Sequence, residues 1–170
     1  EDDTGALPGA AKAAAKSAKQ LVCVEHTGGS SAHLTLYQKK DGRWSESLDT
    51  HAYLGSAGIG KAREGDKKTP TGTFALKRPF GIKPDPGTKM GSYLKVNNNH
   101  YWGGQNGKHY NKLVDISKVK YAPTKADEHL IDYKGVYNYC LLIDYNPDGH
   151  DSKGSAIFLH CTGKNKYTAG

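Results

Sequence analysis

The apolar residues of this chain come in short runs divided by glycine and proline, a spacing that favours many short strands over a few long helices. Leu21-Val-Cys-Val24 is one such run. Ala32, Leu34 and Leu36 alternate with His33, Thr35 and Tyr37, the period of a half-buried strand. Asp41-Gly42 follows, a pair that tolerates the positive φ angles of a tight hairpin, so Trp44–Tyr53 is expected to return antiparallel. Thr73–Leu76, Ser92–Val96, Val136–Tyr145 and Ala156–Leu159 are further strand candidates. Twenty-one glycines supply the turns these strands need. The expectation is a mostly β domain, a sandwich or open barrel with minor helix. The best helix candidate is Thr124–Tyr133, with Thr124 as N-cap and acidic residues in the first turn.

At 170 residues, one domain with a real core is the default. Residues 1–20 differ in texture. Ala10–Lys19 is rich in Ala and Lys without a large apolar side chain, which suggests helix propensity with no face to bury. The expected division is an Ala/Lys-rich tether over 1–20 and a folded domain over 21–170. The acidic start, EDDTGALPG, has no apolar stretch and does not read as a signal peptide. A removed export or anchor segment ahead of residue 1 fits the tether.

The net charge is +7. Scattered lysines without a recognition motif argue against nucleic acid. A solvated basic surface drawn to anionic cell-envelope polymers fits better. No apolar run is long enough to span a membrane. Cys23, Cys140 and Cys161 show no zinc spacing. His26, His33, His51, His100, His109, His129 and His150 show no HxH or HExxH pairing, so no metal centre is expected.

Two segments carry the chemistry. Glycines 55, 58 and 60 suggest a phosphate loop, but no Gly-Lys-Ser/Thr occurs and no helix follows, so a structural loop is favoured. Ala156–Leu159 delivers His160 to the lip of a polar loop that ends in Thr168-Ala169-Gly170. A rigidly held histidine is a good general base, and small residues in a turn allow backbone N–H groups to approach an oxyanion.

Gly60-Lys61 with Glu64-Gly65-Asp66 and Thr69-Pro70-Thr71-Gly72, then Pro86-Gly-Thr-Lys89, then Asp127–Asn146, then Gly154–Cys161 and Thr168–Gly170 stand in this order. Together they resemble the L,D-transpeptidase (YkuD-like) catalytic domain over about residues 50–170. The resemblance implies a β-rich fold, an extracytoplasmic bacterial setting in the wall or periplasm, and cysteine acyl transfer on peptidoglycan stem peptides with no cofactor. It implies that His160 is the general base and that the Cys161 backbone carbonyl orients the imidazole. It also implies that the Ala169 and Gly170 N–H groups lie at the oxyanion, and that Tyr137 and Tyr139 are candidates for substrate contact. The family's nucleophilic cysteine follows the TAG-like turn, at a position 171 beyond this sequence, so the 170-residue chain is expected to be inactive. Cys161 is not a substitute, because strand alternation turns its side chain away from that of His160. A Cys140–Cys161 disulfide remains open on sequence. The alternatives are a non-catalytic peptidoglycan-binding module and a sortase-like cysteine transpeptidase; the Gly60–Gly72 block argues against the latter.

Overall fold

The computed structural model describes residues 1–170. It is mostly β, with three sheets and no closed barrel. The first sheet is a meander of β1 (Gln20–Gly28), β2 (Ser31–Lys40) and β3 (Arg43–Tyr53). Its β2–β3 turn is the expected one: Lys40 pairs with Arg43, and Asp41 and Gly42 take φ of 50° and 74°. Such a turn matches the twist of the strands it joins.

The second sheet holds β4 (Leu76–Gly81), β5 (Leu94–Lys95), β9 (Cys140–Ile143) and β10 (Phe158–His160), in the order β10-β9-β4-β5. The third holds β6 (His100–Trp102), β7 (Leu113–Asp115) and β8 (Glu128–His129), in the order β7-β6-β8. The expected strand at Thr73–Leu76 lies further along, at Leu76–Gly81, and the two share only Leu76.

The core gathers Phe80 of β4, Trp102 of β6, Phe158 of β10, Leu130, Val96, Tyr137 and Cys140. Phe80 sits edge-on to Phe158 with ring centroids 5.0 Å apart, and Trp102 is edge-on to Phe158 at 4.9 Å. Edge-to-face pairs set ring quadrupoles favourably and add about 0.5–1.5 kcal/mol each beyond burial. Because Phe158 is two residues before His160, this cluster fixes the strand that presents the histidine.

Two sequence expectations meet a different arrangement. Thr124–Tyr133 is not an α-helix; it is a turn, then β8, then a single 3-10 turn over Leu130–Asp132. Asp127 explains the difference. Its carboxylate accepts the N–H groups of Thr124 and Gly104 and the hydroxyl of Tyr121, so the segment is tied sideways before a helix can propagate. Glu128 and His129 then pair with β6.

The N-terminal segment is not a free tether. Leu7 and Ala15 are buried with Trp44 of β3, Asp3 bridges to Arg43, and two short 3-10 turns lie at Gly9–Ala11 and Ala14–Lys16. The small alanines let the segment lie close on the indole, with Leu7 as its one large apolar contact. No helix of the molecule is long and apolar enough to cross a membrane.

Candidate functional site

His160 is the last residue of β10 and stands opposite Cys140 on β9. The next peptide is pinned, since the Cys161 N–H donates to the Val136 carbonyl at 3.0 Å. His160 Nδ1 lies 2.9 Å from the Cys161 carbonyl oxygen. A carbonyl can only accept, so Nδ1 carries a proton, and in the neutral imidazole the lone pair is on Nε2. Nε2 has no hydrogen-bond partner in the protein. The imidazole is also held by packing, edge-on to the Tyr137 ring at 5.5 Å.

Tyr137 is itself a buried core residue, stacked on Tyr133 at 4.7 Å. Its hydroxyl donates to Glu128 Oε2 at 2.7 Å. That engagement leaves Tyr137 as a buried wall behind His160, and it does not line the groove at Tyr139. Burial pushes the Glu128 carboxyl up to about 7, against the lowering effect of the Tyr137 bond. Glu128 is a site neighbour that the sequence does not signal, because it sits in what reads as a helix.

Tyr139 is different. It is exposed and lines a groove of about 440 Å³ with Leu141, Leu159, Cys161 and the Pro86–Thr88 loop. His160 and Cys140 border the same groove. Leu141 and Leu159 pair across β9 and β10 and form its apolar bed. Alternation along β10 sends Leu159 and Cys161 to the face opposite Phe158 and His160. The Cys161 thiol points to the Tyr139 carbonyl, 3.7 Å away. All three cysteines are free thiols, so Cys140 and Cys161 are not bridged. Burial drives the Cys140 thiol far above its ordinary value, which keeps it a neutral packing group.

The glycine- and lysine-rich block is a structural loop bonded to itself. Asp66 accepts the N–H groups of Ala62, Arg63 and Lys68 at 2.7–3.1 Å. Lys61 reaches the same carboxylate at 3.0 Å, with side chains only 3% and 9% exposed. Thr69 Oγ1 accepts the Gly55 N–H at 2.9 Å. The loop then holds both ends of the site. Glu64 accepts the Ser155 hydroxyl, three residues before β10. Thr168 donates its N–H to the Leu54 carbonyl at 2.8 Å and accepts from the Ser56 N–H at 3.0 Å.

Ala169 and Gly170 therefore end against Lys67 and Lys68, where Gly170 at φ 120° lies so close that a side chain would meet the Lys68 carbonyl at 2.7 Å. The Gly170 N–H is held by Thr168 Oγ1 at 3.2 Å, while the Ala169 N–H has no protein partner. Neither residue lines the groove beside His160. The structure thus places Cys161 and Tyr139 at the groove with His160 at its border, holds the imidazole against Tyr137, and docks Ala169–Gly170 on the Gly55–Thr69 loop. No group of His, Cys, Asp and Glu is arranged to hold a metal ion. No protein-family model, no curated protein and no solved structure matches the chain.

Proposed function

We propose that this domain is an L,D-transpeptidase-like catalytic domain of the bacterial cell envelope, acting on peptidoglycan stem peptides with His160 as general base. The observation that carries the reading is the His160–Cys161 arrangement. The tautomer is fixed by the neighbouring carbonyl, and the free Nε2 is left to accept a proton. The ordered sequence blocks around it support the same reading. The net charge of +7 suits a surface among anionic wall polymers, and an extracytoplasmic location belongs to the proposal.

In this reading the nucleophile is a cysteine directly after Gly170. Its thiol proton passes to His160 Nε2. The thiolate attacks the carbonyl carbon between an L- and a D-residue, and the Ala169 N–H, which has no protein partner, donates to the oxyanion. Collapse breaks the C–N bond, the imidazolium returns its proton to the departing amine, and a thioester remains. An acceptor amine then gives a proton to His160, attacks the thioester and releases the thiolate, which regains that proton.

The test is a chain continued past Gly170 with cysteine as the next residue, treated with a carbapenem-type β-lactam and read by intact mass. One adduct on that cysteine is expected, slowed about a hundredfold or more by His160→Ala. The 170-residue chain should remain unmodified. No adduct, or an adduct indifferent to His160, rejects the mechanism; retention on peptidoglycan without acylation then favours a wall-binding module.

A further inference from the structure

A second depression, of about 680 Å³, adjoins the His160 groove, and Pro79 and Met90 border both. Lys77, Arg78 and Lys112 line it. Lys77 is neutralised by Asp144 at 2.9 Å. Arg78 and Lys112 have no acidic partner, so two exposed cations stand uncompensated at one cleft.

The floor is rigid. Trp102 is buried, and its indole N–H is held by Asn111 Oδ1 at 2.9 Å. The Asn111 amide is held in turn by the carbonyls of Tyr145 and Asn146. The wall carries backbone strain. Arg78 has φ of 48°, in the left-handed region that residues with a side chain seldom adopt. It lies in the register break of β4 between Lys77 and Phe80, directly before Pro79, which narrows its choices further. Such strain gathers at ligand clamps, and a bulge re-aims the side chain it carries.

We propose that this cleft is a carboxylate subsite, in which Arg78 and Lys112 hold an acidic group of a peptide whose chain crosses Pro79 and Met90 into the His160 groove. A planar guanidinium matches a carboxylate with two parallel bonds, and Lys112 adds a point charge. A peptide fits better than a free anion because the cleft opens onto an apolar, tyrosine-lined groove. The peptide's identity as a cell-wall stem rests on the function proposed above; the carboxylate subsite does not.

The probe is the stem-type tetrapeptide L-alanyl-D-isoglutamyl-L-lysyl-D-alanine, compared with the same peptide amidated at both carboxylates and with inorganic phosphate. Each is titrated calorimetrically into the 170-residue chain. Amidation, Arg78→Gln and Lys112→Gln are each expected to weaken binding about tenfold or more. Arg78→Lys should retain part of the affinity, and added salt should weaken it. Equal affinity for acidic and amidated peptides, no binding of the acidic peptide, or binding of phosphate alone overturns the subsite. The titration needs no nucleophile. Acylation without carboxylate discrimination therefore rejects only the subsite, and carboxylate-dependent binding without acylation rejects only the enzymatic reading.

Discussion

Tyr137 donates its hydroxyl to Glu128 at 2.7 Å while its ring packs against His160, so a desolvated carboxyl and a half-buried imidazole share one support. The two ends of Tyr137 see different media. Its ring borders the half-buried histidine, and its oxygen faces a carboxyl whose proton affinity has been raised by burial.

Glu128 makes the first prediction. Burial lifts its carboxyl to about 7, with the nearby Glu64 adding to the rise. A carboxyl raised on folding holds its proton more tightly in the native state. Its contribution is full below the unfolded value of about 4.3 and is lost as pH rises through about 7. Glu128→Gln keeps an acceptor for Tyr137 without the charge. It is expected to match the parent near pH 4 and to exceed it at pH 8 by on the order of 3 kcal/mol. Urea unfolding at both pH values reads the difference, and a gap that fails to widen with pH contradicts the account.

Asp66 should behave in the opposite sense. Burial alone would raise its carboxyl, but three backbone N–H groups and the Lys61 ammonium outweigh that and hold it well below the usual range. A depressed carboxyl contributes stability above its unfolded value of about 3.9, and that stability is lost as pH falls below it. Asp66→Asn strands the Lys61 charge, and a loss of about 3–5 kcal/mol is expected at pH 7. The variant's stability should also fall less steeply than the parent's between pH 5 and pH 2, by thermal melts across that range.

Gly55 is the contact point for the end of the chain. A methyl group there would meet the Lys67 carbonyl oxygen at 2.3 Å and the Gly170 Cα at 3.0 Å. Gly55→Ala is expected to cost about 1–3 kcal/mol and to loosen residues 168–170 from the loop. Hydrogen exchange at the Thr168 and Ser56 amides should accelerate, while exchange in the β2–β3 hairpin stays unchanged.

The thiols should separate by burial. Cys140 is 5% exposed and its thiol is pushed far up, whereas Cys23 and Cys161 are only partly covered. Native alkylation should modify Cys23 and Cys161 and spare Cys140 until urea unfolds the core. Early labelling of Cys140 in peptide maps by mass would contradict its burial.

The parts legible in the sequence were those written in local chemistry. Asp41-Gly42 announces its hairpin because two adjacent residues suffice to choose the turn. The strand ending at His160 is readable from Ile157, Phe158 and Leu159 alone. The Thr124–Tyr133 segment misleads because its cap and acidic turn suit a helix, while the competing bonds from Asp127 reach Gly104 and Tyr121. Residues 1–20 mislead for the same reason: the partner of Leu7 is Trp44, far along the chain. Arg78 has no signature at all, since nothing in its neighbours announces a left-handed backbone. The pairing of Glu64 with Ser155 likewise joins two segments that each look complete alone.

The bonds that seat the end of the chain also set an order of assembly. The first sheet joins strands that are neighbours in sequence, so its loops are short and cheap to close. The candidate site is stitched from distant partners: Ser155 to Glu64 across 91 residues, and Ser30 to the Lys166 carbonyl across 136. Such contacts are rewarded only after most of the chain has been ordered. The meander is therefore expected to form early and the His160 region late. When the domain begins to unfold, the candidate chemistry should vanish while the hairpin of β2 and β3 still stands.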